Sequence, residues 1–288
     1  MNREYTGKFV IVMLCSQCNN NCDHCYINYT GRFTEEELDL LIPKLNEKYT
    51  VILNGTEPIL YPEYYRFFKM TGTNSILTNG IKLLKDDNTM SLLKENDIKS
   101  ISLSYHFGIQ NDISQMKTVD LENLIVKLKS KNFKVRLLCT LFADNYKNIE
   151  DYCYNAMQLG VDGIKFTNFI YQGSGIRNFE EAKLLDNKQI DEMLAKIDLL
   201  RKKISKDKLY IERCGTFGPS KNNNNFECLA GKNLAVITPD KKVYDCVFDI
   251  GENNSVGYLD DKYKIIINDS SNCNVDKCKV LCKYNKVN

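Results

Sequence analysis

Residues 15–26 read CSQCNNNCDHCY and place four cysteines and one of the chain's two histidines within twelve positions, directly after the apolar run FVIVML. Thiols this dense can form disulfides, bind zinc, act as a redox pair or cage an iron–sulfur cluster. Cys18, Cys22 and Cys25 are separated by three residues and then by two. A cubane four-iron cluster wants one thiolate at each iron corner. One tight loop with these spacings can hold three corners and leave the fourth for a non-protein ligand. Zinc takes four ligands, usually in two compact pairs, and Cys15 with Cys18 makes a C-x-x-C pair, so spacing alone leaves zinc open.

The rest of the chain narrows the choice. FVIVML is too short for a signal-peptide core and runs into cysteines instead of a small-residue cleavage site. No apolar stretch approaches the ~20 residues of a membrane span. The chain is therefore expected in a reducing cytoplasm, with no membrane partner. There clustered thiols bind metal or do redox work, and the disulfide reading of the twelve cysteines is weak. Net charge is +2 with the signs mixed, so no basic field argues for nucleic acid. A length of 288 residues suits one large domain, or one with a small appendage.

The elements that must position these thiols alternate. Residues 8–14 read as a buried strand. Residues 34–48 read as a helix with Thr34 as N-cap and Glu37 completing a capping box. Strands are expected at 50–55, 74–80, 98–105, 133–142 and 161–170. Helices are expected between them at 62–70, 83–96, 120–132 and 146–160, the last stopped by Gly160. Six strand–helix units with short connections imply parallel strands and an α/β fold, a partial (β/α)6 barrel of the TIM type. Chemistry then gathers at the carboxyl ends of the strands, where Cys15, Gly55, Asn79, Ser104 and Asn145 should line one rim. A further helix at 187–205 and a short strand at 208–212 follow. Helical periodicity then fades and six cysteines appear. This places a boundary near residue 206, between a barrel domain (1–206) and a small cysteine-rich module (207–288).

CNNNCDHCY after the first strand resembles the C-x-x-x-C-x-x-C loop of the radical S-adenosylmethionine (radical SAM) enzymes, which share the partial barrel. The resemblance implies a 4Fe-4S cluster on Cys18, Cys22 and Cys25, with S-adenosylmethionine chelating the open iron. Reductive cleavage would then give a 5′-deoxyadenosyl radical that abstracts hydrogen from a substrate. NGTEP, residues 54–58, is similar to the family's G-G-E-P. It implies that Gly55, Thr56, Glu57 and Pro58 receive the amino group of the methionine, with Thr56 in place of the second glycine. Asn79 and Ser104 fall where the family lines the pocket, Ser104 near the ribose. Asn145 falls where a polar residue meets the adenosyl group, and Ile164 on the strand that packs against adenine. Cys15, Cys139 and Cys153 read as core, and His106 as a satisfied polar residue or a substrate contact.

The second cysteine set is similar to the SPASM and Twitch extensions of the same family. Cys228 and Cys246 flank a hairpin read in 233–246, and Cys278 and Cys282 follow in CNVDKCKVLC. The likeness implies an auxiliary 4Fe-4S cluster on these four residues, with Cys214 or Cys273 able to replace one. A zinc-stapled appendage is the alternative. Such proteins often modify ribosomally made peptides, and a flavodoxin- or ferredoxin-type donor would supply the electron. A barrel expected to begin by residue 8, with no domain before it to grip a leader peptide, argues against a peptide. The alternatives are dehydrogenation of a small-molecule alcohol, with an electron passed to the auxiliary cluster, and a zinc-binding scaffold protein without catalysis.

Overall fold

The alternation read from the sequence folds as two sheets with helices packed on one side. The computed structural model describes residues 2–214, 217, 229–251 and 253–268. The barrel strands are β2 (Phe9–Met13), β3 (Thr50–Asn54), β4 (Ser75–Thr78), β5 (Ser100–Ser104), β6 (Lys134–Leu141) and β7 (Gly163–Asn168), preceded by the short β1 (Arg3–Glu4). Between them run α1 (Glu35–Asn46), α2 (Tyr64–Met70), α3 (Ile81–Lys85), α4 (Asp87–Glu95), α5 (Gln110–Ile113), α6 (Thr118–Ser130) and α7 (Ile149–Gln158). The chain continues through α8 (Ser174–Asn178), α9 (Asn187–Lys203), β8 (Tyr210–Arg213), β9 (Leu234–Ile237), β10 (Lys242–Tyr244), β11 (Gly257–Leu259) and β12 (Ile265–Ile267). All six expected strand–helix units are present, and the fold is a partial TIM-type barrel.

Local chemistry explains the boundaries. Thr34 and Glu37 close the capping box that starts α1. The single helix expected at 83–96 is split, because Asp86 takes an extended conformation and its carboxylate accepts from the Asn88 N–H to cap α4. Gly160 ends the α7 segment at φ +68, a left-handed conformation that suits glycine.

Strands β4 to β8 pair in parallel in chain order. The other sheet runs β1-β12-β11-β10-β9-β2-β3, with β2 parallel to both β3 and β9. No ladder joins β3 to β4 among the described residues. Of the module expected after residue 206, the described residues hold β8 to β12. β8 extends the parallel sheet, and the hairpin of β9 and β10 continues the sheet of the first barrel strand.

Alternation sorts each sheet into two faces. Val10, Val12, Val51, Leu53, Ile101, Leu103, Val135, Leu137, Ile164 and Phe166 lie in the main core with the apolar stripes of α1, α6 and α9. The faces turned away from the helices differ. On β2, β9 and β10, Met13, Val236 and Tyr244 are buried beneath Ile27, Tyr29, Val247 and Ile250. On β5, β6, β7 and β8, Ser102, Ser104, Leu138, Lys165, Thr167 and Glu212 are half-buried. A cavity of about 240 Å³ opens along that polar face, lined in part by Ser102, Arg136, Lys165, Tyr210 and Glu212.

Candidate functional site

The cysteine loop leaves β2 at the carboxyl rim. Two backbone bonds lay residues 56 and 57 beside it: the Thr56 N–H donates to the Cys15 carbonyl at 3.0 Å and the Glu57 N–H to the Gln17 carbonyl at 3.1 Å. Thr56, the departure from the glycine pattern, is accommodated: its hydroxyl donates to the Tyr29 oxygen at 3.4 Å, and the Tyr29 hydroxyl donates to the Cys15 carbonyl at 2.7 Å. Pro58 opens a short 3-10 turn over residues 58–60, where its missing N–H costs nothing.

Glu57 reaches across the gap between the two sheets. Its Oε1 accepts from the Thr78 hydroxyl and its Oε2 from the Asn79 N–H, both at 2.7 Å, and the side chain is buried. Burial pushes its pKa up to about 7, against the pull of those donors. Asn79 is fixed in turn, its Oδ1 accepting from the Ile81 N–H at 2.9 Å. Its Nδ2 therefore faces the cysteine loop, donating to Asn19 Oδ1 at 2.9 Å and to Cys18 Sγ at 3.6 Å.

Cys18, Cys22 and Cys25 share one space: burial raises all three thiol pKa values, Cys22 to about 12, and the neighbouring thiols add to the rise at Cys18 and Cys22. None of the three is in a disulfide. Cys18 Sγ accepts from the Asn20 N–H at 3.3 Å and from Asn79 Nδ2 at 3.6 Å. Donors on sulfur suit a thiolate bound to a metal cluster. Among the described residues no three His, Cys, Asp or Glu side chains converge on a single-ion site. A cubane asks for something else, three sulfurs spread over three irons, and the donor set fits that group.

Sequence reasoning missed what pins the far side of this loop. Gly173 stands at φ +60, and a Cβ there would come within 2.6 Å of the Cys25 carbonyl oxygen and 2.9 Å of that of Ile27. The next N–H, of Ser174, donates to the Cys25 carbonyl at 2.8 Å. Sequence reasoning also missed that the chain's two histidines touch, His24 edge-on to His106 at 4.4 Å between ring centroids. His106 Nδ1 accepts from the Thr140 N–H at 3.1 Å, which makes it the satisfied polar residue allowed for. His24 Nδ1 is buried without a partner, and burial pushes that imidazole down to about 4.

The remaining predicted residues divide. Ser104 ends β5 half-buried on the polar face, opposite Leu138. Asn145 is at the rim, but its amide serves the backbone, accepting from the Phe142 N–H at 2.8 Å and donating to the Thr140 carbonyl at 3.3 Å. Ile164 is not brought to the rim. It is the second residue of β7, buried on the helix side, and Lys165 and Thr167 occupy the other face. Cys15, Cys139 and Cys153 are fully buried in the core, as expected.

Of the second cysteine set, Cys214 follows β8 and Cys246 follows β10. Cys228, Cys273, Cys278 and Cys282 lie outside the described residues. Burial raises the pKa of the Tyr26 phenol, and Cys25, Tyr29, Cys246 and Cys214 add to the rise. The Tyr26 ring meets that of Phe248 at 4.7 Å. Among the described residues no helix is long and apolar enough to cross a membrane.

No family model matches this sequence, and no curated protein matches it. Among solved structures the fold recurs. SuiB of Streptococcus suis, bound to precursor peptide SuiA, superposes with a TM-score of 0.70 at 13% identity, over 88% of this chain and 62% of that one. SuiB bound to S-adenosylmethionine gives 0.69 at 14%, over 87% and 63%. The protein anSMEcpe, with bound AdoMet and the Cp18Cys peptide, gives 0.64 at 18%, over 88% and 77%. This chain thus spans less than two thirds of SuiB. At these identities the likeness is one of fold.

Proposed function

We propose that this chain is a radical SAM enzyme whose active centre is the rim built on Cys18, Cys22 and Cys25. One observation carries the reading: three free thiols on the loop after the first barrel strand, beside Glu57 and Asn79, with Cys18 Sγ receiving two N–H donors. The fold shared with proteins solved with S-adenosylmethionine supports it. When bound, the cofactor pair would supply one-electron cleavage of a carbon–sulfur bond and hydrogen abstraction from an unactivated carbon.

The chain's own residues do the positioning. The three cysteines would hold the cluster, with Gly55, Thr56, Glu57 and Pro58 forming the turn beside it. Glu57 keeps the two sheets in register at that point. Ser104 on the polar face and Asn145 at the rim bound the space for the nucleoside. The buried face of Met13, Val236 and Tyr244 excludes water beneath the loop. Cys246 with Cys228, Cys278 and Cys282 would hold an auxiliary 4Fe-4S cluster. The substrate class favoured is a peptide, because SuiB and anSMEcpe were both solved with peptides. Small-molecule alcohol oxidation, with an electron passed to the auxiliary cluster, is the second reading. A flavodoxin- or ferredoxin-type protein would be the donor.

The test is anaerobic reconstitution. The protein should carry about eight irons, four per cluster. It should form 5′-deoxyadenosine with a strong reductant. Replacing Cys18, Cys22 and Cys25 together by Ala should remove about four irons and all 5′-deoxyadenosine. Zinc with negligible iron and sulfide would sink the reading and leave the scaffold alternative.

A further inference from the structure

We infer that Asn79 is a positioning residue that sets the reduction potential of the cluster held by the triad, by donating an N–H to the sulfur of Cys18. The inference rests on the cluster reading above and adds a role to a residue expected only to line the pocket. Geometry leaves the amide no choice. The backbone of Asn79 is held by Glu57 Oε2, and its Oδ1 is held by the Ile81 N–H. Both hydrogens of Nδ2 are thereby aimed at the cysteine loop, one at Asn19 Oδ1 and one at Cys18 Sγ. Because the oxygen has a donor of its own, the amide cannot be flipped without losing all three bonds.

The sulfur so approached is the most exposed of the triad. It also receives the Asn20 N–H, so Cys18 carries two N–H donors. A donor stabilises negative charge on sulfur. The same physics acts on a cluster. Reduction adds one electron, and part of the added charge falls on the ligating sulfurs. A hydrogen bond to such a sulfur stabilises the reduced form more than the oxidised form and makes the potential less negative. Asn79 therefore eases entry of the electron that the chemistry requires. Glu57, by holding Asn79, links the turn of residues 55–58 to that same sulfur.

The experiment compares reconstituted wild-type protein with Asn79→Asp and Asn79→Ala. Asn79→Asp keeps an oxygen for the Ile81 N–H and replaces the donor with an acceptor. Asn79→Ala removes the donor without adding charge. Iron content and thermal melts are measured first. A redox titration then follows the electron paramagnetic resonance signal that changes when S-adenosylmethionine is added, which separates the triad cluster from any other. Both variants should keep their iron. The reduced-to-oxidised ratio at fixed poise should fall about three- to tenfold, roughly 30–60 mV more negative for a one-electron couple. Wild-type potentials in iron-loaded variants would overturn the inference and leave the cluster reading intact. Loss of the triad iron in both variants would also overturn it, making Asn79 a scaffold residue. A wild-type protein without a signal responsive to S-adenosylmethionine would sink the cluster reading itself.

Discussion

The two sheets turn opposite kinds of surface away from the helices. Over β2, β9 and β10 of the seven-stranded sheet that surface is dry: Met13 and Val236 are fully buried, with the loop residues Ile27 and Tyr29 laid over them. On the five-stranded sheet it is polar and half-open, with Ser102, Ser104, Thr167 and the Lys165–Glu212 ion pair at 3.1 Å. The difference separates two tasks. Apolar burial is strong and non-directional, so the dry wall anchors the cysteine loop. The polar wall offers donors and acceptors with fixed directions instead.

The firmest way to break the comparison is Met13→Ala. It leaves a cavity directly under the cysteine loop and should cost about 2–5 kcal/mol in urea unfolding. A cost near zero would mean that the loop does not rest on that wall.

A smaller effect is expected from Glu57, which spans the gap between the walls. Its folded pKa of about 7 lies above the ordinary 4.5, so the folded protein holds this proton longer than the unfolded chain does. Stability from this group is full below pH 4.5 and falls as pH rises through 7, by roughly 3–4 kcal/mol. Glu57→Gln removes the titration. In iron-free protein, the wild type should therefore lose more stability than the variant between pH 5 and pH 8. Parallel curves would show that the carboxylate is ionised throughout at little cost.

The smallest effect belongs to the polar wall. Lys165 and Glu212 are each about one-third exposed, so Lys165→Met should change stability by less than about 1 kcal/mol. A loss comparable to that of Met13→Ala would erase the distinction between the walls.

The dry wall and its loop were the more legible in sequence. An apolar run followed by Cys18, Cys22 and Cys25 places a thiol loop at a strand end, and Gly55, Glu57 and Asn79 close the two following strands as alternation requires. β1, β11 and β12 were missed because two or three residues are too few to show a period. The role of Gly173 was not legible either, since the carbonyl it must avoid belongs to a residue far earlier in the chain. His24 against His106 is likewise a tertiary contact with no local signature. Ile164 is placed by the period of two in β7: it is buried between Lys165 and its other neighbour Gly163, and it lines the cavity shared with Ser102 and Glu212.

The place of β2 has a consequence in time. It lies between β3, which follows it closely, and β9, whose partner residues are separated from it by 225 positions, as Lys8 and Asn233 are. At a synthesis rate of ~5–20 residues per second, the strand that presents the cysteine loop keeps one unpaired edge for roughly 11–45 s on the ribosome. During that interval the dry wall lacks Val236 and Tyr244, and the thiols hang from an unfinished sheet. Iron delivered before β9 docks would meet a loop free to bind it in other ways. Assembly of this protein should therefore favour late, post-synthetic loading over capture by the nascent chain.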